Sequence, residues 1–305
     1  MIKNYAFILL SSVTTSVMLF SFLLGNGLAF LMFYLTPLPI ILIGIYYNWK
    51  YSLISSLITL ILIYLFNENL AIFFLVGIAM PAIYLSYLTM LCKEFKGTTE
   101  WYPVSLIFSK IIIISSILCI FGVLYFGSNI NTFETNIEMT LNNMFELRPD
   151  IQNNLNNNSL AYVSKIVAPI MNLIIMFTLI INLWIALKIL SFSKQLKRPW
   201  PALRLLNLPP YYIYAYIILL IGAMFSSGIF QIIFISLSTA LTFAYTIVGL
   251  SVIHTITIGI SIRPLILAAM YTLIMFFLII IIPIAIIGIL DFNFKIRNKY
   301  FKSTR

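Results

Sequence analysis

A chain of 305 residues with 62% hydrophobic and only 9% charged residues cannot be a soluble globular domain, whose water-facing surface needs roughly 25% ionic residues. The formal charge of +10 does not read as nucleic-acid binding. The cations stand beside apolar runs, where they orient a membrane protein and meet anionic headgroups. Runs such as 111–114 and 279–282 are isoleucine throughout, which excludes a transmembrane β-barrel with its alternating strands.

Nine apolar segments follow in order: 5–24, 28–47, 51–66, 70–91, 103–126, 162–190, 211–225, 229–253 and 264–290. Most approach the ~20 residues that cross a ~30 Å hydrocarbon core. The expected fold is all-α, one polytopic transmembrane helical bundle over 1–305 with eight spans, or nine if every segment crosses. The first segment has no small-residue cleavage site and runs straight into the next, so it reads as an uncleaved span rather than a signal peptide. Tight links at Gly25-Asn-Gly27, Asn48-Trp-Lys50 and Asn67-Glu-Asn69 make sequential antiparallel neighbours.

Orientation follows from Lys and Arg. With the N-terminus cytoplasmic, that side gains Lys3, Lys50, Lys93, Lys96, Lys188, Lys194, Lys197, Arg198 and Arg204, and the outside keeps Arg148 and Lys165. The basic cytoplasmic loop, 191–209, anchors this assignment. Three further crossings would put the basic tail, 291–305, outside, against the rule. The expectation is therefore eight crossings with both ends cytoplasmic. Either 229–262 or 264–290 then fails to cross as one span, and Pro283 is able to break the latter.

The outer loop, 127–161, carries Phe133, Ile137, Leu141 and Met144 on one helical face, with Asn136, Asn142 and Asn143 opposite and Pro149 ending the pattern. It reads as a helix lying among the headgroups, or as a lid over an outward-facing cavity. The Asn-rich run 153–158 reads as linker.

Catalysis has no visible constellation. The single histidine, His254, has no carboxylate near it in sequence, and Cys92 and Cys119 form neither a CxxC pair nor a disulfide framework. Glu68 and Asp291 stand at segment ends, where water reaches them. Lys110, two turns into a segment, can snorkel to the headgroups. The chain is expected not to be an enzyme and to hold no cofactor or metal.

Polar groups within spans remain the candidates for a cavity lining. Pro37, Pro39 and Pro81 each remove a backbone donor inside an apolar run, as do Pro169 and Pro283, and interrupted helices are where transporters place binding sites. Asn172 and Asn182 suit a bundle interior better than lipid. Ser238, Thr242, Tyr245 and Gly249 share one helical face, and His254 follows one turn on. Small and hydroxylated residues are equally the glue between membrane helices, as the Ser12–Ser16 pair illustrates.

Several short motifs resemble one family. They are Arg198-Pro-Trp-Pro201, Leu208-Pro209 opening a segment, Val248-Gly-Leu-Ser-Val-Ile-His254, and Gly288-Ile-Leu-Asp291 followed by Lys295-Ile-Arg297. With Pro37-Leu-Pro39 ahead of Gly44 and the long outer loop, they resemble the YybS-like bacterial membrane proteins (domain of unknown function 2232). That family is distantly similar to the S components of energy-coupling factor transporters. The resemblance implies a bacterial inner (plasma) membrane protein that binds a small-molecule solute for uptake, beside a separate energy-coupling ATPase module. This chain has no GxxxxGK[ST] of its own. It also departs from S components in having Ser12 and Ser16 where an Ala pair docks the coupling subunit, and in having more than six spans. The alternative expectation is a non-transporting scaffold of the cell envelope that contacts partner proteins through the basic loop.

Overall fold

A computed structural model describes residues 2–95, 97–146, 157–201 and 203–297. Among these, six helices are long and apolar enough to cross a membrane: Tyr5–Leu23, Gly27–Tyr46, Glu68–Met90, Val104–Phe126, Lys165–Phe192 and Gly228–Ile256. Four shorter apolar helices accompany them: Trp49–Tyr64, Tyr211–Phe225, Arg263–Phe276 and Leu278–Phe294. The chain divides into two compact units, Met1–Ile114 with Ile175–Pro201, and Ser115–Ile174 with Ala202–Arg305.

The first unit opens with α1 (Ile2–Phe20), α2 (Gly27–Tyr34), α3 (Pro37–Tyr46), α4 (Trp49–Tyr64), α5 (Glu68–Phe73) and α6 (Met80–Met90). The three tight links have a common cause, because each asparagine caps the helix it precedes. Asn26 accepts from the Ala29 N–H at 2.9 Å, Asn48 from Lys50 at 3.2 Å and Asn67 from Leu70 at 2.9 Å. Hydroxyls join the helices laterally. Ser12 Oγ lies 3.2 Å from Ser55 Oγ, Thr59 donates to the Ser12 carbonyl at 3.3 Å, and Ser52 donates to Ile40 O at 2.8 Å. Gly44 packs so closely on Ser52 and Ser86 that no Cβ fits there.

Two of the prolines reshape their helices. Pro37 opens α3 at its first turn after a break at Leu35–Thr36. Pro81 follows a π-turn, Phe74–Ala79, in which the Met80 N–H reaches back five residues to Leu75 O, re-registering the ladder ahead of the missing donor. Between α6 and α7 (Val104–Phe126) lies an antiparallel hairpin, β1 (Cys92–Phe95) and β2 (Thr98–Trp101), with Lys93 opposite Glu100. This short ladder is the exception to the all-α expectation.

The second unit holds the later part of α7 and the start of α9 (Asn157–Phe192), with α8 (Ile130–Glu146), α10 (Tyr211–Phe225), α11 (Gly228–Ile256), α12 (Arg263–Phe276) and α13 (Ile281–Phe294). The residues 147–156, including Pro149 and most of the 153–158 run, lie outside the described residues, as does the tail beyond 297. The last two residues of that run, expected as linker, open α9. Pro169 sits inside α9 without interrupting it.

The 264–290 segment is not one continuous helix. It is broken at 277–280 by a single 3-10 turn, Leu278–Ile280, six residues before the point where Pro283 would have broken it. Pro283 sits instead in the first turn of α13, where its missing N–H has no intrahelical role. Helices α11 and α13 run parallel: Thr246 meets Ile281, Gly249 meets Ile284, and Ser251 meets Arg297. Gly249 and Gly288 permit this approach, since a Cβ on either would strike the facing backbone.

Candidate functional site

The polar chemistry of the second unit gathers at the end of α11. Asp291, in the last turn of α13, is buried, which corrects its reading as a water-exposed segment end. Arg297 turns back on it, with Nη2 2.7 Å and Nε 2.8 Å from Asp291 Oδ2. The Arg297 backbone N–H donates to Asp291 Oδ1 at 3.0 Å. The remaining donor, Nη1, reaches Arg204 O at 2.8 Å, Leu206 O at 2.9 Å and Ser251 Oγ at 3.1 Å. Lys295 makes this return possible by adopting a left-handed φ of 49° at the end of α13. A cavity of about 260 Å³ opens beside the pair, lined by Leu205, Asn207, Asp291, Phe292, Lys295 and Arg297.

The arrangement ties four distant stretches together: the basic loop at Arg204 and Leu206, α11 at Ser251, the end of α13 at Asp291, and the tail at Arg297. The tail therefore begins on the same side as the Arg204–Leu206 segment. An aspartate six residues before an arginine, straddling the end of an apolar run, was the signal for the pair. Their three further partners are more than 40 residues away and leave no local trace.

A second buried guanidinium occupies the first unit. Arg198 is 5% exposed and donates to Thr89 O at 3.0 Å and Tyr102 O at 3.2 Å, over the Trp101 ring. Burial lowers its pKa from the ordinary value. Next to it in sequence, Trp200 lies under Lys188 Nζ, 5.2 Å from the ring centroid. Two arginines of one charge-rich stretch and its distal tail thus act as pins for backbone carbonyls.

The residues singled out for a cavity fall in both units. In the first, Pro37 is buried, Pro39 half-buried and Pro81 buried. Asn182 donates to Tyr34 O and Thr178 O, each at 2.8 Å. Tyr34 is the last residue of α2, so the asparagine takes up a carbonyl orphaned by the break before Pro37. In the second unit, Asn172 donates to Ser236 O at 3.1 Å. Ser238 bonds back to Ile235 O, and Thr242 lies 2.8 Å from Tyr216 Oη. Tyr245 is buried with its ring tilted against Tyr216, and His254 Nε2 lies 2.7 Å from Tyr271 Oη. Three buried polar atoms here lack a partner among the described residues: Asn172 Oδ1, Asn182 Oδ1 and the Tyr245 hydroxyl.

Beneath α8, the space is filled. Phe133, 1% exposed, and Ile137 pack with Cys119, Val123, Ala168, Ile229 and Ile232, and Leu141 is half-buried against the same cluster. Asn136 Nδ2 donates to Phe126 O at 2.6 Å, tying α8 to the end of α7. The side chain of Met144 lies outside the described ones. No group of three or more metal-ligating side chains is present among the described residues.

A family model described as "Predicted membrane protein (DUF2232)" matches residues 13–292. No curated protein and no solved structure matches the chain.

Proposed function

The chain belongs to the DUF2232 family of predicted membrane proteins, and from that premise we propose that it is a non-transporting scaffold of the bacterial plasma membrane. Its N-terminus is cytoplasmic in this reading, and the basic stretch 194–210 meets partner proteins in the cytoplasm. One observation carries the reading: buried guanidinium groups hold the stretch near both ends. Arg198 is anchored to Thr89 and Tyr102, and Arg297 holds the Arg204 and Leu206 carbonyls. A charged loop fixed in this way loses less conformational entropy on binding than a free one. Lys194 and Lys197 remain exposed on it, suited to acidic surfaces.

The packing of Phe133 and Ile137 supports the same reading, because a lid over a solute cavity would have space rather than side chains beneath it. Several polar residues within the helices also reach a neighbouring helix, as Asn172 does at Ser236 O, Asn182 at Tyr34 O and Thr246 at Ile281 O. Catalysis has no part in this proposal.

A second reading, an S-component-like solute-binding subunit working with a separate energy-coupling ATPase, is favoured by one specific feature. In the second unit Asn172 Oδ1 and the Tyr245 hydroxyl, without a partner among the described residues, are groups a polar solute would satisfy. A photo-crosslinking residue at Gln195, exposed on the same stretch, in cells, with mass spectrometry of small molecules retained by the purified protein, separates the two. The scaffold reading expects a discrete crosslinked protein lost in the Lys194→Glu, Lys197→Glu double variant. A stoichiometric bound solute, or an ATPase as the crosslinked protein, would replace it with the second reading.

A further inference from the structure

Helices α12 and α13 are 14 residues each, about 21 Å at 1.5 Å per residue. Neither reaches across a ~30 Å hydrocarbon core. The depth of their connecting turn can be read against α11. Thr246 Oγ1 donates to Ile281 O at 3.2 Å, so the first residue of α13 is level with Thr246. From Thr246 to the end of α11 at Ile256 is ten residues, about 15 Å. From Thr246 back to Gly228 is eighteen residues, about 27 Å. The turn therefore stops well short of the far end of α11.

The composition of the hairpin agrees with that depth. Its tip is Met275-Phe-Phe-Leu-Ile-Ile280, without a polar side chain. Met275, Leu278 and Ile279 are 80%, 74% and 72% exposed, and no residue of α12 is fully buried. Its feet are cationic: Arg263 opens α12, and Lys295 and Arg297 follow α13. Arg263 bonds to His254 O at 3.4 Å and Arg297 to Arg204 O, so both feet stand at the end of α11 that carries the Arg204–Leu206 segment. Part of the turn's backbone is paired internally, as lipid favours. The Phe277 N–H donates to Leu273 O at 2.8 Å, Ile280 to Phe277 O at 3.0 Å, and Ile281 to Leu278 and Ile279 carbonyls.

We propose that 263–294 is a re-entrant helical hairpin that inserts into one leaflet only, from the side of the Arg204–Leu206 segment. The occupant of the bare face of α12 is the acyl chains of that leaflet, and its anionic headgroups meet Arg263 and Lys295. Entry and exit on one side place the basic tail with the basic stretch, as the positive-inside rule requires, without an added crossing. α13 is the limb packed on α11 through Gly249 and Gly288. α12 is the lipid-facing limb, tied to α11 by the His254–Tyr271 contact.

The test uses single cysteines in a Cys92→Ser, Cys119→Ser background of the full chain, in sealed vesicles of both orientations with a membrane-impermeant maleimide. Ser261→Cys, in the exposed loop ahead of α12, is expected to label only from the side on which Arg204→Cys labels. Ile279→Cys is expected to stay at background from both sides. A nitroxide at Ile279 should be accessible to oxygen and inaccessible to a water-soluble nickel chelate. Labelling of Ile279→Cys from the side opposite Ser261→Cys overturns the proposal in favour of two full crossings. Labelling from the same side overturns it in favour of a hairpin lying in water. Because Ile279 is exposed, its substitution removes no internal packing, so a silent result reports depth rather than misfolding.

Discussion

Asp291 and Arg297 stand six residues apart in sequence, and their side chains meet at 2.7 Å in a place where both are buried. The guanidinium serves two ends at once, neutralising the carboxylate and holding the carbonyls of Arg204 and Leu206. Removing one member leaves an uncompensated buried charge, which costs about 3–5 kcal/mol. Arg297→Ala and Asp291→Ala are each expected to destabilise the protein by that order. Arg297→Lys should retain only part of the stability, because an ammonium cannot reach the carboxylate and three further acceptors in a fixed fork. Thermal unfolding in detergent micelles measures all three, and unchanged melting in Arg297→Ala would show the pair to be incidental.

Much of the fold was legible because the relevant signals were local. Asparagine between two apolar runs is a helix cap as well as a loop residue, so the links at Asn26, Asn48 and Asn67 stood out. The break before Pro37 was visible in the missing donor. The break at 277–280 was not, since nothing in Phe-Phe-Leu-Ile-Ile punctuates a helix; neighbouring packing on α11 starts α13 where Ile281 meets Thr246. The Arg297 cluster was equally hidden, because its partners come from elements brought together only by folding. Hydropathy reports length and burial, and it is blind to which distant carbonyl a cation will hold.

The crossing of α11 and α13 depends on two missing side chains. A Cβ at Gly249 would strike the Ile284 carbonyl, and one at Gly288 the carbonyl of Tyr245. Neither obstacle is a flexible side-chain tip. Gly249→Ala and Gly288→Ala are therefore expected to force the helices apart at about 1–3 kcal/mol each. Gly122, in α7, has open space around it, and Gly122→Ala should stabilise by about 0.5–1 kcal/mol through helix propensity. Opposite signs in one unfolding assay would confirm that contact, rather than glycine content, decides the outcome.

Asn182 answers for the break in front of Pro37. Its amide donates to Tyr34 O at 2.8 Å, the carbonyl at the end of α2, from a side chain that is itself buried. Asn182→Leu keeps the volume and removes the donor, leaving that carbonyl unpaired at a cost of about 1–3 kcal/mol. Loss of stability with unchanged helical content by circular dichroism is the expected result. No loss would mean that the Tyr34 carbonyl finds another donor, and that the asparagine is available to a ligand.

Helix α8 gives the sharpest contrast between a lid and a packed element. Phe133 fills the core formed with Cys119, Val123, Ala168 and Ile232, so Phe133→Ala opens a cavity there. The expected cost is about 3–5 kcal/mol. Thr135, two residues on, is exposed and among the described residues bonds to Asn131 O in its own helix, so Thr135→Ala should fall within about 0.5 kcal/mol. A lid that opens on an empty vestibule would tolerate both changes alike. The packed arrangement requires the reverse: melting falls in Phe133→Ala and holds in Thr135→Ala.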